Sequence, residues 1–127
     1  MPNAAAIISL ELGAAILFWL VFVVIETAVL QLINWGDFRH CLRASLIANL
    51  ASALIIAISL IWIPRFGFAG LVIGGVLSIM IEGLVFSRLN PETNRRNWLA
   101  AILANLVSFL ILIFPVFLII RGMTYGY

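Results

Sequence analysis

The chain has 127 residues, of which 65% are hydrophobic and only 9% are charged. A water-soluble domain of this size has about a quarter of its residues charged, because its surface is large relative to its core. The composition therefore excludes an ordinary soluble globular protein. A net charge of +2 is too small for a nucleic-acid-binding surface. The single cysteine, Cys41, excludes an internal disulfide bond and a multi-thiolate metal site.

Four apolar segments are long enough to cross a bilayer as helices, which takes roughly 20 residues. They cover residues 7–33, 44–64, 66–87 and 98–120. The first segment has no basic residues before it, unlike a secretory signal, and we expect it to be retained. The sequence thus predicts an all-α protein, an integral membrane four-helix bundle that forms a single domain over residues 1–127.

The arginines predict the orientation of these spans. The first and third connections carry five of them, Arg39, Arg43, Arg88, Arg95 and Arg96, and the opposite side carries Arg65 and Arg121. Cytoplasmic loops are enriched in positive charge. We therefore expect both longer connections to face the cytoplasm and both termini to lie on the non-cytoplasmic side, in a bacterial inner or intracytoplasmic membrane.

The chain also contains an internal repeat with an offset of 56 residues. Ile25-Glu26 aligns with Ile81-Glu82, Arg39 with Arg95, and Ala48-Asn49-Leu50-x-Ser52 with Ala104-Asn105-Leu106-x-Ser108. The matches at Glu, Asn and Ser are the informative ones, because such residues are rare within membrane spans. The repeat predicts two tandem transmembrane hairpins, the first covering about residues 7–64 and the second about 66–120.

The repeated polar residues are expected to meet inside the bundle. Glu26 and Asn49 are equidistant from the middle of the first connection, as Glu82 and Asn105 are from the middle of the third. Such residues lie at the same depth on antiparallel helices, on the order of 9 to 12 Å from the cytoplasmic boundary at 1.5 Å per residue. We therefore predict a buried polar centre made of Glu26, Asn49, Ser52, Glu82, Asn105 and Ser108.

Small residues mark the helix face that leads to this centre. Gly70, Gly74 and Ser78 precede Glu82 at intervals of four residues. A small-xxx-small row allows another helix to approach closely. These three residues are the predicted helix-packing residues of the third span.

Two roles remain open for the two glutamates. Burial and mutual repulsion favour a neutral carboxyl, and a protonatable pair in a membrane is suited to relaying protons or binding a cation. The simpler interpretation is a clamp in which each Glu is hydrogen-bonded to the Asn of its own hairpin. The sequence favours the clamp slightly, since no row of polar residues continues to the outer side.

No other residues form a recognisable site. His40 is a conceivable haem or chlorophyll ligand, but it follows Arg39 in a connection, where contact with water or lipid headgroups is the commoner role. No nucleophile with its base, no phosphate-binding loop and no metal motif occurs. We therefore expect no catalytic residues, no metal and no cofactor.

The pattern of Ile-Glu followed by Ala-Asn-Leu-x-Ser, present twice, resembles that of small bacterial four-span membrane proteins. The resemblance covers both halves of the chain and implies no activity. The surroundings of Glu26 differ from those in small multidrug-resistance transporters, and residues 66–87 lack the third-span signature of fluoride channels.

These observations favour a small accessory or structural subunit, not an enzyme. Its expected partners are the lipid bilayer and a larger membrane protein complex or further copies of itself. The alternative is a small proton- or ion-coupled transporter or channel that uses Glu26 and Glu82.

Overall fold

A computed structural model of the chain describes residues 3–59 and 68–124, which form helices and contain no strand. The helices are α1 (Ala4–Leu32), α2 (Phe38–Ser59), α3 (Phe68–Leu89), α4 (Asn94–Ser108) and α5 (Phe114–Thr124). A short 3₁₀ turn (Pro91–Thr93) precedes α4, and a π-helical turn (Phe109–Ile113) joins α4 to α5 without a break. The all-α prediction is confirmed.

Among the described residues, three stretches are long and apolar enough to cross a membrane, namely Ala4–Leu32, Phe68–Leu89 and Pro91–Ile113. They correspond to the first, third and fourth predicted spans and suggest a membrane protein. The second predicted span corresponds to α2, which begins at Phe38 and not at residue 44. Its last residues, 60–64, lie outside the described part of the chain, as do Arg65 and the start of the third span.

Local hydrogen bonds explain why α1 ends and α2 begins where they do. Asn34 adopts a left-handed conformation with φ of 52°, which asparagine tolerates better than most residues. Its N–H donates to the Gln31 carbonyl and that of Trp35 to the Leu30 carbonyl, both at 2.9 Å, as in a Schellman motif. The Asp37 carboxylate then accepts the His40 N–H at 2.8 Å and caps α2.

The π-helical turn has a physical cause two residues beyond its end. Pro115 has no N–H and its ring clashes with the carbonyl one turn earlier, so a regular α-helix is disfavoured at Ile111. In the structure the Phe114 N–H donates to the Phe109 carbonyl, five residues back. The helix therefore widens by one residue at this point instead of breaking.

The helices pack around a core that is unusually rich in small and polar residues. α1 and α3 each contact both α2 and α4. The buried residues include Leu30, Trp35 and Phe86, but the remaining core positions are mostly alanine, serine, asparagine and the two glutamates. Conversely, many large aliphatic side chains face outward, such as Leu10 at 75% exposure. This distribution is the reverse of that in a soluble protein.

One close approach between α3 and α4 depends on glycine. A Cβ atom at Gly83 would lie 2.5 Å from Cε3 of Trp98, closer than such atoms approach in proteins. The Trp98 ring therefore covers the Gly83 backbone directly, next to Glu82.

We predict that Gly83→Ala lowers the free energy of unfolding by about 1 to 3 kcal/mol, because the added methyl group overpacks this contact. Gly75→Ala on the same helix is the matched control, since a Cβ there has no neighbour within 4 Å. Thermal unfolding in mild detergent measures both. Equal stability of the two variants would show that Trp98 does not constrain α3.

Candidate functional site

Two glutamate and asparagine pairs lie inside the molecule. The Asn49 Nδ2 donates a hydrogen bond to Glu26 Oε2 between α1 and α2. In the same way, Asn105 Nδ2 donates to Glu82 Oε2 between α3 and α4. Both glutamates are almost completely buried, whereas Asn49 is buried and Asn105 half-buried. Both pairings that the loop midpoints predict are thus present.

Each asparagine also bonds to its own helix. Asn49 Nδ2 donates to the Ser45 carbonyl at 3.0 Å, and Asn105 Nδ2 donates to the Ala101 carbonyl at 2.9 Å. A carboxamide nitrogen has two N–H groups. One N–H donates to the carbonyl one turn earlier and fixes the orientation of the side chain. The other N–H is thereby directed at the glutamate across the helix interface.

The two pairs form one centre and not two separate clamps. The Ser52 hydroxyl of α2 and the carboxyl group of Glu82 on α3 are near enough to interact. The Glu26 and Glu82 carboxyl groups are also near enough to interact electrostatically. The sequence predicts contacts within each hairpin only, and the structure adds contacts between the hairpins.

The Ser52 hydroxyl makes a hydrogen bond within its own helix. Its Oγ lies 3.2 Å from the Asn49 carbonyl oxygen and donates to it. A hydroxyl has one proton but two acceptor positions. The single Ser52 proton is therefore directed to the Asn49 carbonyl of its own helix.

The second copy of the serine differs from the first. Ser108 is buried at 2% exposure, but its Oγ has no hydrogen-bond partner in the described part of the chain. Ser52 and Ser108 are equivalent in the repeat that the sequence predicts, so the centre is symmetric in its Glu and Asn contacts and asymmetric in its hydroxyl contacts.

The predicted packing residues of α3 lie on the inward face. Gly70 and Ser78 are buried and Gly74 is half-buried. Together with Glu82 they place the small residues of α3 towards the neighbouring helices, as the spacing of four predicts.

The five predicted basic residues lie near the connections Ile33–Asp37 and Asn90–Thr93, which we call the arginine end. Arg39, Arg43, Arg88 and Arg95 are exposed there. Arg96 is half-buried, and its Nη2 donates to the Ile33 carbonyl at 2.8 Å. Arg96 thus binds the C-terminal end of α1, where the helix dipole favours a positive charge.

A second polar link at this end was not predicted. Trp35 Nε1 donates to Asn97 Oδ1 at 2.7 Å, and Asn97 Nδ2 donates to the Asn90 carbonyl at 2.6 Å. Both side chains are buried. The spacing of Asn97, Ala101, Ala104 and Ser108 along one helix face is the signal that places Asn97 inside.

An aromatic layer separates the carboxyl centre from the arginine end. Trp35 contacts Phe86, with ring centroids 5.3 Å apart, and stacks on His40 at 5.0 Å. Leu30 and Phe86 lie one turn from Glu26 and Glu82 respectively, and both are fully buried. His40 is therefore a packing partner of Trp35. No group of three or more metal-binding side chains occurs among the described residues.

Comparison of the chain with protein-family models, with curated proteins and with solved structures gives no match.

We predict that Trp35→Phe destabilises the protein by about 1 to 3 kcal/mol, because it leaves buried Asn97 without its donor. Trp19→Phe is the matched control, since the Trp19 indole N–H has no hydrogen-bond partner in the described ranges. Thermal unfolding in detergent compares the two. If Trp35→Phe loses no more stability than Trp19→Phe, the hydrogen bond between Trp35 and Asn97 does not help to join the hairpins.

Proposed function

We propose that the chain is an integral membrane four-helix bundle of two tandem hairpins and that it acts as a non-catalytic accessory or structural subunit of a larger membrane complex. The carboxyl and carboxamide centre is the internal clamp of this subunit. Its termini lie on the non-cytoplasmic side and its arginine end at the cytoplasmic boundary, in keeping with the charge of the connections.

The observation that carries the proposal is the contrast between the two halves of α1. Every residue from Ala4 to Phe18 is exposed, although this stretch is almost entirely apolar. Val23, Glu26 and Leu30, in contrast, are buried against the other helices. About half of the helix thus has no packing partner within the described chain and offers an apolar surface to lipid or to another membrane helix.

The chemistry of the interior also supports a structural role. The aromatic layer covers the Glu26 and Glu82 centre on its arginine side, and Asn49 and Asn105 each donate a hydrogen bond to one of its carboxyl groups. These contacts fix the register of four helices. They provide no nucleophile aligned with a base, which covalent chemistry would need.

Purification from the native membrane in mild detergent tests the proposal, with Gly13→Leu as the informative variant. A Cβ at Gly13 has no neighbour within 4 Å, so leucine there leaves the chain's own packing unchanged but projects from the exposed half of α1. Gly122→Leu on α5 is the control, because Gly122 is equally free of neighbours.

The wild-type chain and the Gly122→Leu variant are expected to elute in a stoichiometric larger assembly, and Gly13→Leu is expected to elute without it. A homogeneous monomer or homo-oligomer with no partner would overturn the accessory role. Resistance of the chain to alkaline extraction from membranes tests insertion separately, and release into the supernatant would contradict it.

The proximity of Glu26 and Glu82 favours a second candidate, a small proton- or ion-coupled transporter or channel. In liposomes holding a pH-sensitive dye, such a protein produces a proton flux that is lost in Glu26→Gln plus Glu82→Gln. Our first proposal predicts no flux above that of protein-free liposomes. A flux that depends on both glutamates would favour the transporter.

A further inference from the structure

We propose that a groove between α2 and α3 at the arginine end binds one anionic phospholipid. An acyl chain lies along the aliphatic wall of the groove, and the phosphate contacts Arg88 and Arg43. This inference rests on the proposed insertion in a membrane and identifies a lipid partner that the proposed function does not require.

The groove has the size and lining that an acyl chain needs. Its volume is about 360 Å³, and its walls are Ile47 of α2 with Leu84, Val85, Arg88 and Leu89 of α3. Ligand sites in proteins have volumes of about 300 to 1,000 Å³ and mainly apolar walls with a few polar groups. Four of the five lining residues here are aliphatic, and the remaining one is an arginine.

The charged groups lie at one end of this wall. Arg88 is in the last turn of α3, with Leu84 one turn deeper on the same face. Arg43 precedes Ile47 by one turn of α2 and is exposed, as Arg88 is. Neither guanidinium has a hydrogen bond or ion pair within the described ranges. Two unpaired positive charges thus lie at one end of an aliphatic groove. A phospholipid has the matching arrangement, with its phosphate at one end of its acyl chains.

A neighbouring groove shows what distinguishes this one. It is larger, about 480 Å³, and is lined by Glu92, Thr93, Asn94, Arg95, Arg96 and Leu99. Five of its six lining residues are polar or charged, and Glu92 supplies a carboxylate that repels a phosphate. Arg96 there already binds the Ile33 carbonyl. Of these two grooves, the one between α2 and α3 combines an aliphatic wall with unpaired arginines.

The test uses the full chain in nanodiscs made of equal parts of phosphatidylglycerol and phosphatidylcholine. Native mass spectrometry counts the lipids that stay bound after the protein is released from the nanodiscs. We expect retained phosphatidylglycerol to exceed phosphatidylcholine. An arginine in direct contact with an anionic headgroup changes the affinity for that lipid about fivefold, whereas one that makes no such contact adds only a general attraction to the membrane surface. Arg88→Gln should therefore lower the ratio of the two lipids by about fivefold.

Two control variants separate the groove from general surface charge and bulk. Arg95→Gln removes the same charge from an exposed position outside the groove and should keep the lipid ratio. Leu84→Trp fills the groove and should remove the retained lipid, whereas Leu106→Trp, on an exposed part of α4, should not. All four positions are at the surface, so the fold is expected to persist, and far-UV circular dichroism checks this.

The outcomes are distinct. Equal retention of the two lipids, or the same effect from Arg95→Gln as from Arg88→Gln, overturns the lipid site and leaves the membrane proposal intact. A cross-link between copies through a cysteine placed at Leu84 would show that a second chain fills the groove, and would also overturn it. A chain that does not enter the nanodiscs contradicts membrane insertion itself.

Discussion

The structure depends on hydrogen bonds between carboxamide and carboxyl groups in its interior. In the membrane setting that we propose, burial of apolar side chains favours no particular association of the helices, because lipid is as apolar as the helix surface. Polar pairs and small residues then decide which faces meet. Asn49 and Asn105 do this in the same manner, since each is oriented by a carbonyl of its own helix and donates to a glutamate of the preceding helix.

The arginine end supplies the second constraint, which joins one hairpin to the other. The left-handed Asn34 turns the chain so that Trp35 points inward, where its indole meets Asn97 at the start of α4. Arg96 binds the last carbonyl region of α1 beside it. The hairpins are thus tied at this end and, through Ser52 and Glu82, at the level of the carboxyl centre.

The features that were predicted from the sequence are those that depend on spacing along one helix or across one connection. The length of the apolar segments predicts the helices. Equal distance from the middle of a connection predicts that Glu26 pairs with Asn49 and that Glu82 pairs with Asn105. The Ser52 contact with Glu82 and the Trp35 contact with Asn97 were missed, because they depend on how two hairpins dock. The early start of α2 was missed because capping by Asp37 overrides the polarity of the residues after it.

A double-mutant cycle on Glu26 and Asn49 tests the central claim most directly. Glu26→Leu and Asn49→Leu are each expected to destabilise the protein in detergent, because each leaves a buried polar partner unsatisfied. The double variant should lose less stability than the sum of the two single losses, with a coupling energy between about 0.6 and 1.7 kcal/mol, the mean and the largest value measured between membrane helices. Additive losses would show that this pair does not hold α1 and α2 together, and would contradict the account.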